Sequence, residues 1–203
     1  MSKTQAEAVF TPWSVPDKLP ALSDVLYERC TRQLGGSVAR ITINRPEKLN
    51  ACTNKTMKEI MIAIEVANPD PSVGVVVLQG AGDRAFSTGG DVAWEGERTT
   101  ADWFFDPPPN HTVRFSLKPM IAAVRGYAIG GGNHLAYTCD LTVAADNAIF
   151  GQIGSRHGSP ADGYLARYLI RVIGAKRARD VAHAAPQPHL HPHPEGRVRP
   201  GGG

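Results

Sequence analysis

The sequence predicts an α/β fold organised around a mainly parallel β-sheet. Continuous apolar, β-branched runs of strand length occur at "VGVVVLQG" (73–80), "MIAAV" (120–124) and "LTVAA" (141–145), stretches of helical spacing separate them, and glycine clusters follow the strand region. A run that is apolar at successive positions is expected of a strand buried on both faces. Strands alternating with helices pair in parallel, because each crossover returns the chain to the same end of the sheet. Ligands bind such sheets beyond the carboxyl ends of the strands, where "STGGD" (87–91) and "IGGGN" (129–133) fall.

The elements follow in order. Residues 1–34 form a polar, proline-containing lead to which no element is assigned. "SVARITIN" (37–44) alternates well enough for a strand, and "RPEKLNA" (45–51) is a loop forced by Pro46. Thr53 caps a helix whose Met57, Ile60, Met61 and Ile64 share one face at spacings of three and four, and "NPDP" (68–71) stops it. Helical stretches are expected in part of 92–116, at Gly131–Tyr137 and at Tyr164–Val172; another starts at Ala175 and loses its pattern near Asp180. Residues 185–203 contain five prolines and three histidines and end in three glycines, so they are expected to be disordered. The expected organisation is a lead (1–34), a core (35–180) and a tail (181–203).

With 203 residues, 42% of them hydrophobic and 20% charged, the chain has material for one sizeable core. Its net charge of +3 is scattered, and Lys176, Arg177 and Arg179 read as a solvated helix face, which argues against nucleic acid as a partner. Cys30, Cys52 and Cys139 show neither CxxC spacing nor a disulfide framework, as expected of a reducing cytoplasm. No signal-peptide pattern opens the chain, and no apolar run approaches the roughly 20 residues of a membrane helix. His189, His191 and His193 read either as a metal-binding group or as part of a linker-like tail; lacking a carboxylate or cysteine partner at ligand spacing, they give no reason to expect a metal.

The glycine clusters carry the chemistry. A backbone N–H can donate to a ligand only where side chains leave the approach open, and glycine provides that. Gly131 and Gly132 also open a helix, whose first N–H groups are unpaired and partly positive. If Gly90 presents its N–H from the other turn, two donors converge on one oxygen, an oxyanion hole in which one donor is worth about 3 kcal/mol. The alternative is that these glycines serve only tight strand-to-helix packing. Neither cluster has the dinucleotide G-x-G-x-x-G spacing, and no P-loop Lys-Ser/Thr pair follows either.

"INRPEKLNA" (43–51), "GAGDRAFSTGGD" (80–91) and "KPMIAAVRGYAIGGGNHLAYTCDLTVAADNAIFGQIG" (118–154) resemble, in order and spacing, the crotonase (enoyl-CoA hydratase/isomerase) superfamily over about residues 37–180. Within it, "GGD", "CDLT", "AIFGQ" and "RVIGAKRAR" are most similar to the branch containing 1,4-dihydroxy-2-naphthoyl-CoA synthase and 2-ketocyclohexanecarboxyl-CoA hydrolase. The resemblance implies a crotonase-like ββα superhelix (the ClpP/crotonase fold). It also implies an acyl-CoA substrate, no separate cofactor, a homotrimer or dimer of trimers, and a chain truncated before the family's C-terminal helices. It makes the N–H groups of Gly90 and Gly131 the oxyanion donors to a thioester enolate. Lys48, Asn50, Ala51, Thr88, Gly89 and Asp91 would line the CoA channel, the first three by their backbone.

Hydratases of the family hold water with two glutamates, at positions occupied here by His134 and Gly154. His134, in the first turn of a helix that disfavours positive charge, is expected to be a neutral base or a packed core histidine. In the resembling branch a Ser, and an Asp two residues later, contact the reacting group. Ser159 matches the Ser; Ala161 takes the Asp position, leaving neighbouring Asp162 to substitute if the Pro160 turn re-aims it. His157 is a further candidate or a surface residue, and Gly154 sits where some naphthoyl synthases leave room for bicarbonate. Trp94, Trp103, Phe104 and Phe105 read as an apolar acyl pocket or as helix core. The implied reactions are ring-cleaving hydrolysis or C–C bond formation on a cyclic acyl-CoA. The alternatives are enoyl-CoA hydration or isomerisation, and a non-catalytic remnant that binds CoA or homologues.

Overall fold

A computed structural model of the chain describes residues 10–96, 109–154 and 163–183. In chain order the elements are β1 (Val25–Thr31), β2 (Ser37–Ile43), a 3-10 turn (Pro46–Lys48), α1 (Asn54–Ala67), β3 (Val73–Gly80), β4 (Ala85–Ser87), α2 (Val92–Gly96), α3 (Pro109–Arg114), β5 (Met120–Val124), β6 (Tyr127–Ile129), α4 (Gly131–Thr138), β7 (Leu141–Ala144), β8 (Ile149–Gly151), α5 (Gly163–Ile173) and α6 (Ala175–His183). They build a five-stranded sheet in the order β1-β2-β3-β5-β7 and a three-stranded sheet in the order β4-β6-β8. All pairings are parallel except β1 with β2.

The two sheets arise from one repeated bend. β3, β5 and β7 are each followed within a few residues by a short strand, β4, β6 and β8, that leaves the large sheet and joins the small one. A helix follows each short strand: α2, α4 and α5. This strand–strand–helix repeat is the expected ββα architecture. Because β4 and β6 run parallel, with a register shift between Ala85 (opposite Tyr127) and Ser87 (opposite Ala128), the corners that follow them lie side by side.

The core lies between α1 and the large sheet. Ile60, Ala63, Ile64 and Ala67 of α1 are fully buried with Ile41, Ile43, Val76 and Leu78. Each such isoleucine contributes about 1.5–3 kcal/mol of burial. Thr53 caps α1 as expected, in a reciprocal capping box with Thr56. Glu59 also lies on the buried face of α1, because its carboxylate accepts the N–H groups of Ser23, Asp24 and Val25 at 2.8–3.1 Å and so ties the lead to the helix. A second apolar cluster joins Tyr137 of α4 to Leu165 and Leu169 of α5 and Ala178 and Val181 of α6.

The lead departs from expectation. Residues 25–31 form the outer strand β1, whose apolar phase breaks at Glu28 and Arg29, so the alternation is hidden in the sequence. Glu28 is satisfied across the sheet by Arg40 at 2.8 Å, and residues 10–14 bridge to β1 from its other side (Phe10 to Arg32, Ser14 to Arg29). At the opposite end of the sheet β7 pairs only with β5 among the described residues, leaving Leu141 and Val143 61% and 63% exposed. α6 runs to His183, past the Asp180 limit expected for it. The expected disordered stretch, 185–203, lies outside the described residues.

Candidate active site

Three corners meet at the carboxyl end of the small sheet: Thr88–Asp91 after β4, Gly130–Gly131 after β6, and Gln152–Gly154 after β8. At the first corner, Cys52 donates its N–H to Gly89 O at 2.7 Å and Asp91 donates to Cys52 O at 3.0 Å. This one-residue parallel bridge turns the N–H and C=O of Gly90 away from Cys52. Ser87 Oγ donates to Asn50 O at 2.8 Å and accepts from Gly89 N at 3.2 Å, so the chain is fixed on both sides of the turn. Gly89 has φ +87°, a conformation glycine adopts freely.

At the second corner Gly130 is the N-cap of α4, with φ 54° and ψ −119°. Its N–H donates to Gly151 O at 2.9 Å, and its carbonyl accepts from His134 N at 3.0 Å and Gln152 Nε2 at 3.3 Å. The close approach of the corners explains their bare backbones. A Cβ on Gly89 would lie 2.8 Å from Gly131 N, and one on Gly131 would lie 3.3 Å from Gly89 Cα and 3.8 Å from Gly90 N. Standard bond lengths then put the nitrogens of Gly90 and Gly131 within about 6 Å of each other, close to the limit at which two N–H groups, each at about 2.9 Å, share one acceptor. Among the described residues neither N–H donates to a protein acceptor. Gly131 opens an eight-residue helix, so its N–H also sits at the positive end of the helix dipole.

The loop expected to line the CoA channel serves partly as a brace. Asn50 is completely buried: its Nδ2 donates to Ala81 O at 3.0 Å and Ala85 O at 2.7 Å, and its Oδ1 accepts from Arg45 N at 3.0 Å. Its own N–H donates to Arg45 O, and the N–H of Ala51 donates to Lys48 O. Asn50 and Ala51 therefore spend their polar groups inside the protein, and Asn50 presents nothing to a ligand, contrary to expectation. Leu49 and Asn50 both have left-handed φ values, 51° and 55°, and the Asn50 hydrogen bonds hold that corner. Lys48 is exposed and Thr88 docks on Leu49 O at 3.2 Å through its N–H.

Arg45, to which sequence reasoning gave no role, links loop and turn. Its guanidinium donates to Ala51 O and to Asp91 Oδ2 at 3.0 Å, and lies 3.7 Å from Asp24. Asp91 also accepts from Trp94 N at 3.3 Å, capping α2. Burial would raise the Asp91 pKa, but the Trp94 N–H and Arg45 together hold it below the usual carboxylate value.

Glu95 is the other residue the sequence reading missed. It lies one helical turn after Asp91, and its carboxyl covers Gly90: a Cβ there would be 1.7 Å from Oε1 and 2.5 Å from Cδ. Burial, then the nearby Asp91 charge, raise its pKa.

His134 lies one turn into α4 with its ring edge-on to Tyr137 at 5.6 Å. Gly154, half-buried, closes the third corner. Trp94 is half-buried on α2. Ser159, Asp162, His157, Trp103, Phe104 and Phe105 lie outside the described residues, as do His189, His191 and His193. Among the described residues no cluster of His, Cys, Asp and Glu could hold a metal ion, and no helix is long and apolar enough to cross a membrane. All three cysteines are free and buried. Burial pushes Cys52 up to about 11 and Cys139 up to about 12, so neither is a thiolate nucleophile at neutral pH.

The fold that carries these corners is shared with solved structures. The chain superposes on an enoyl-CoA hydratase subunit I from Geobacillus kaustophilus (33% identity, TM-score 0.69, covering 80% of this chain and 62% of that one). It also superposes on an enoyl-CoA hydratase/isomerase (crotonase) from Legionella pneumophila (32%, 0.69, 81% and 64%) and on an enoyl-CoA hydratase/carnitine racemase from Magnetospirillum magneticum (27%, 0.69, 79% and 61%). The chain spans about three-fifths of the length of these structures. The family model for enoyl-CoA hydratase/isomerase matches residues 33–188, a range that holds all three corners, and the chain belongs to that family.

Proposed function

We propose that residues 35–180 form an acyl-CoA-binding core that stabilises a thioester enolate between the N–H groups of Gly90 and Gly131. The observation that carries this reading is the proximity of two bare amides from adjacent corners, neither donating to another described residue. An enolate oxygen carries nearly a full charge and a ground-state carbonyl only part of one, so fixed donors favour the transition state selectively. Lys48, Thr88, Gly89 and Asp91 would border the CoA channel, Lys48 facing phosphate as an exposed cation.

The finer reading is ring-cleaving hydrolysis or C–C bond formation on a cyclic acyl-CoA, with His134, Ser159 and Asp162 as proton-transfer candidates and Gly154 leaving room for bicarbonate. It rests on the similarity of "GGD", "CDLT" and "AIFGQ" to the naphthoyl synthase and ketocyclohexanecarboxyl hydrolase branch. A homotrimeric assembly in the cytoplasm accompanies that reading. Enoyl-CoA isomerisation is the second reading, favoured by the Glu95 carboxyl over Gly90, because an isomerase needs only one group to carry a proton between carbons.

Turnover on a panel of 2-ketocycloalkyl, saturated cyclic and enoyl thioesters tests the proposal. A hydrolysed ring or a new C–C bond supports the finer reading, and a shifted double bond the second. Tight CoA-thioester binding without turnover on any member would make the chain a non-catalytic binder.

A further inference from the structure

We infer that Glu95 is a catalytic acid/base of this site, carrying the proton taken from the carbon next to the thioester carbonyl. The inference rests on the enolate reading above and adds the group that forms the enolate. The second and third corners bring His134 and Gly154, not a carboxylate, toward the site, so a carboxylate comes from elsewhere if one acts. Glu95 arrives from α2, the helix that follows the first corner. Its Oε1 lies 1.7 Å from the point a Gly90 Cβ would occupy, hence no more than about 4 Å from the Gly90 nitrogen. A carbonyl oxygen about 2.9 Å from that nitrogen lies within about 7 Å of Oε1, and the flexible Glu95 side chain has to swing across the remaining gap to the adjoining α-carbon. The same contact gives Gly90 a second reason to lack a side chain: a Cβ would displace the carboxyl.

In the step, one Glu95 oxygen takes the α-proton. The C–H pair becomes the enolate C=C bond, and the carbonyl π pair moves to the oxygen held between Gly90 and Gly131. The Glu95 acid then either trades its proton with solvent and delivers a solvent-derived one to the same carbon, giving exchange, or hands its proton to the γ-carbon of an unsaturated chain, giving isomerisation. Nothing else is consumed. Partial burial and the Asp91 charge, which raise its pKa, bring Glu95 nearer the range in which one group both takes and gives a proton.

The test uses the full chain and two probes. Exchange of the α-proton of cyclohexanecarbonyl-CoA in D2O, followed by NMR, reads proton transfer. The red shift of a bound aryl-acryloyl-CoA reads polarisation of its carbonyl by the amides. Glu95→Gln is expected to slow exchange about 100-fold or more while keeping the red shift, and Glu95→Asp is expected to keep part of the exchange. Gly90→Ala, which keeps the N–H but displaces the flexible carboxyl, is expected to slow exchange as well. Wild-type exchange in Glu95→Gln with the red shift intact would overturn the role of Glu95 and leave the amide pair standing, as would a wild-type protein that shifts the probe without exchanging the proton. A wild-type protein that binds the probe without any shift would overturn both readings.

Discussion

The turn at Ser87–Asp91 is braced by side chains in addition to its main-chain bonds to Leu49 and Cys52, whereas the turn at Ile129–Gly132 is braced almost wholly by main chain. The first depends on Ser87, the buried Asn50 and the Arg45–Asp91 ion pair. The second is held by Gly130 N–H on Gly151 O, by the first turn of α4 and, at one point only, by the side chain of Gln152. Two N–H groups can thus be aimed at one place by different means. A side-chain brace is sensitive to mutation and pH; a main-chain brace is sensitive to backbone substitutions.

The largest expected effect tests the second turn. Gly131→Pro deletes the donor at a position where proline is compatible with a helix start. It is expected to lower turnover by about 100- to 1000-fold while CoA-thioester affinity, measured by calorimetry, stays within a few-fold. Equal loss of affinity and of the circular-dichroism signal would mean that the fold, not the donor, was lost.

Asn50→Ala tests the first turn from inside. It strands the buried carbonyl of Ala85 and the partly buried one of Ala81, with an expected loss of about 2–3 kcal/mol in urea unfolding. A loss under about 0.5 kcal/mol would show that the turn does not need its brace.

Asp91→Asn is expected to cost about 1 kcal/mol at pH 7, with a definite pH signature. The folded pKa of Asp91 is lowered, so its contribution is full above the unfolded carboxylate value, about 3.9, and is lost as pH falls through the folded one. The gap between wild type and variant should therefore close below about pH 4. A gap unchanged down to pH 2.5 would assign the effect to geometry rather than charge.

The smallest effect belongs to Gln152→Ala, which removes one neutral hydrogen bond of 3.3 Å from the second turn. A loss of about 0.5–1 kcal/mol is expected; a much larger loss would erase the contrast between the two turns.

Much of this fold was legible in the sequence because burial leaves long apolar runs: β2, β3, β5 and α1 all stand out, whereas β7, read from its apolar run as buried on both faces, is a strand but an exposed one. The three short strands of the small sheet were not, since "AFS", "YAI" and "IFG" are too brief to show a period. Their existence depends on pairing with one another, which no local window contains. β1 was hidden because Glu28 and Arg29 break its alternation, and both charges find partners only across the sheet or beyond it, Arg40 and Asp70. At the site, glycine marked the two turns, because close backbone approach excludes every other residue. Arg45 and Glu95 were missed for the opposite reason: charged residues are common on loops and short helices, and only tertiary contact separates these two from solvated ones.

The large sheet has unequal sides. Beside β1 lie residues 10–14, whose bridges occupy part of that strand's outer hydrogen-bonding groups, while the far side of β7 meets no described strand. Among the described residues the more open margin for adding a strand is therefore Leu141–Ala144, next to two exposed aliphatic side chains. A lysine at position 141 or 143 would put a like-charged fence on that margin without touching either glycine corner.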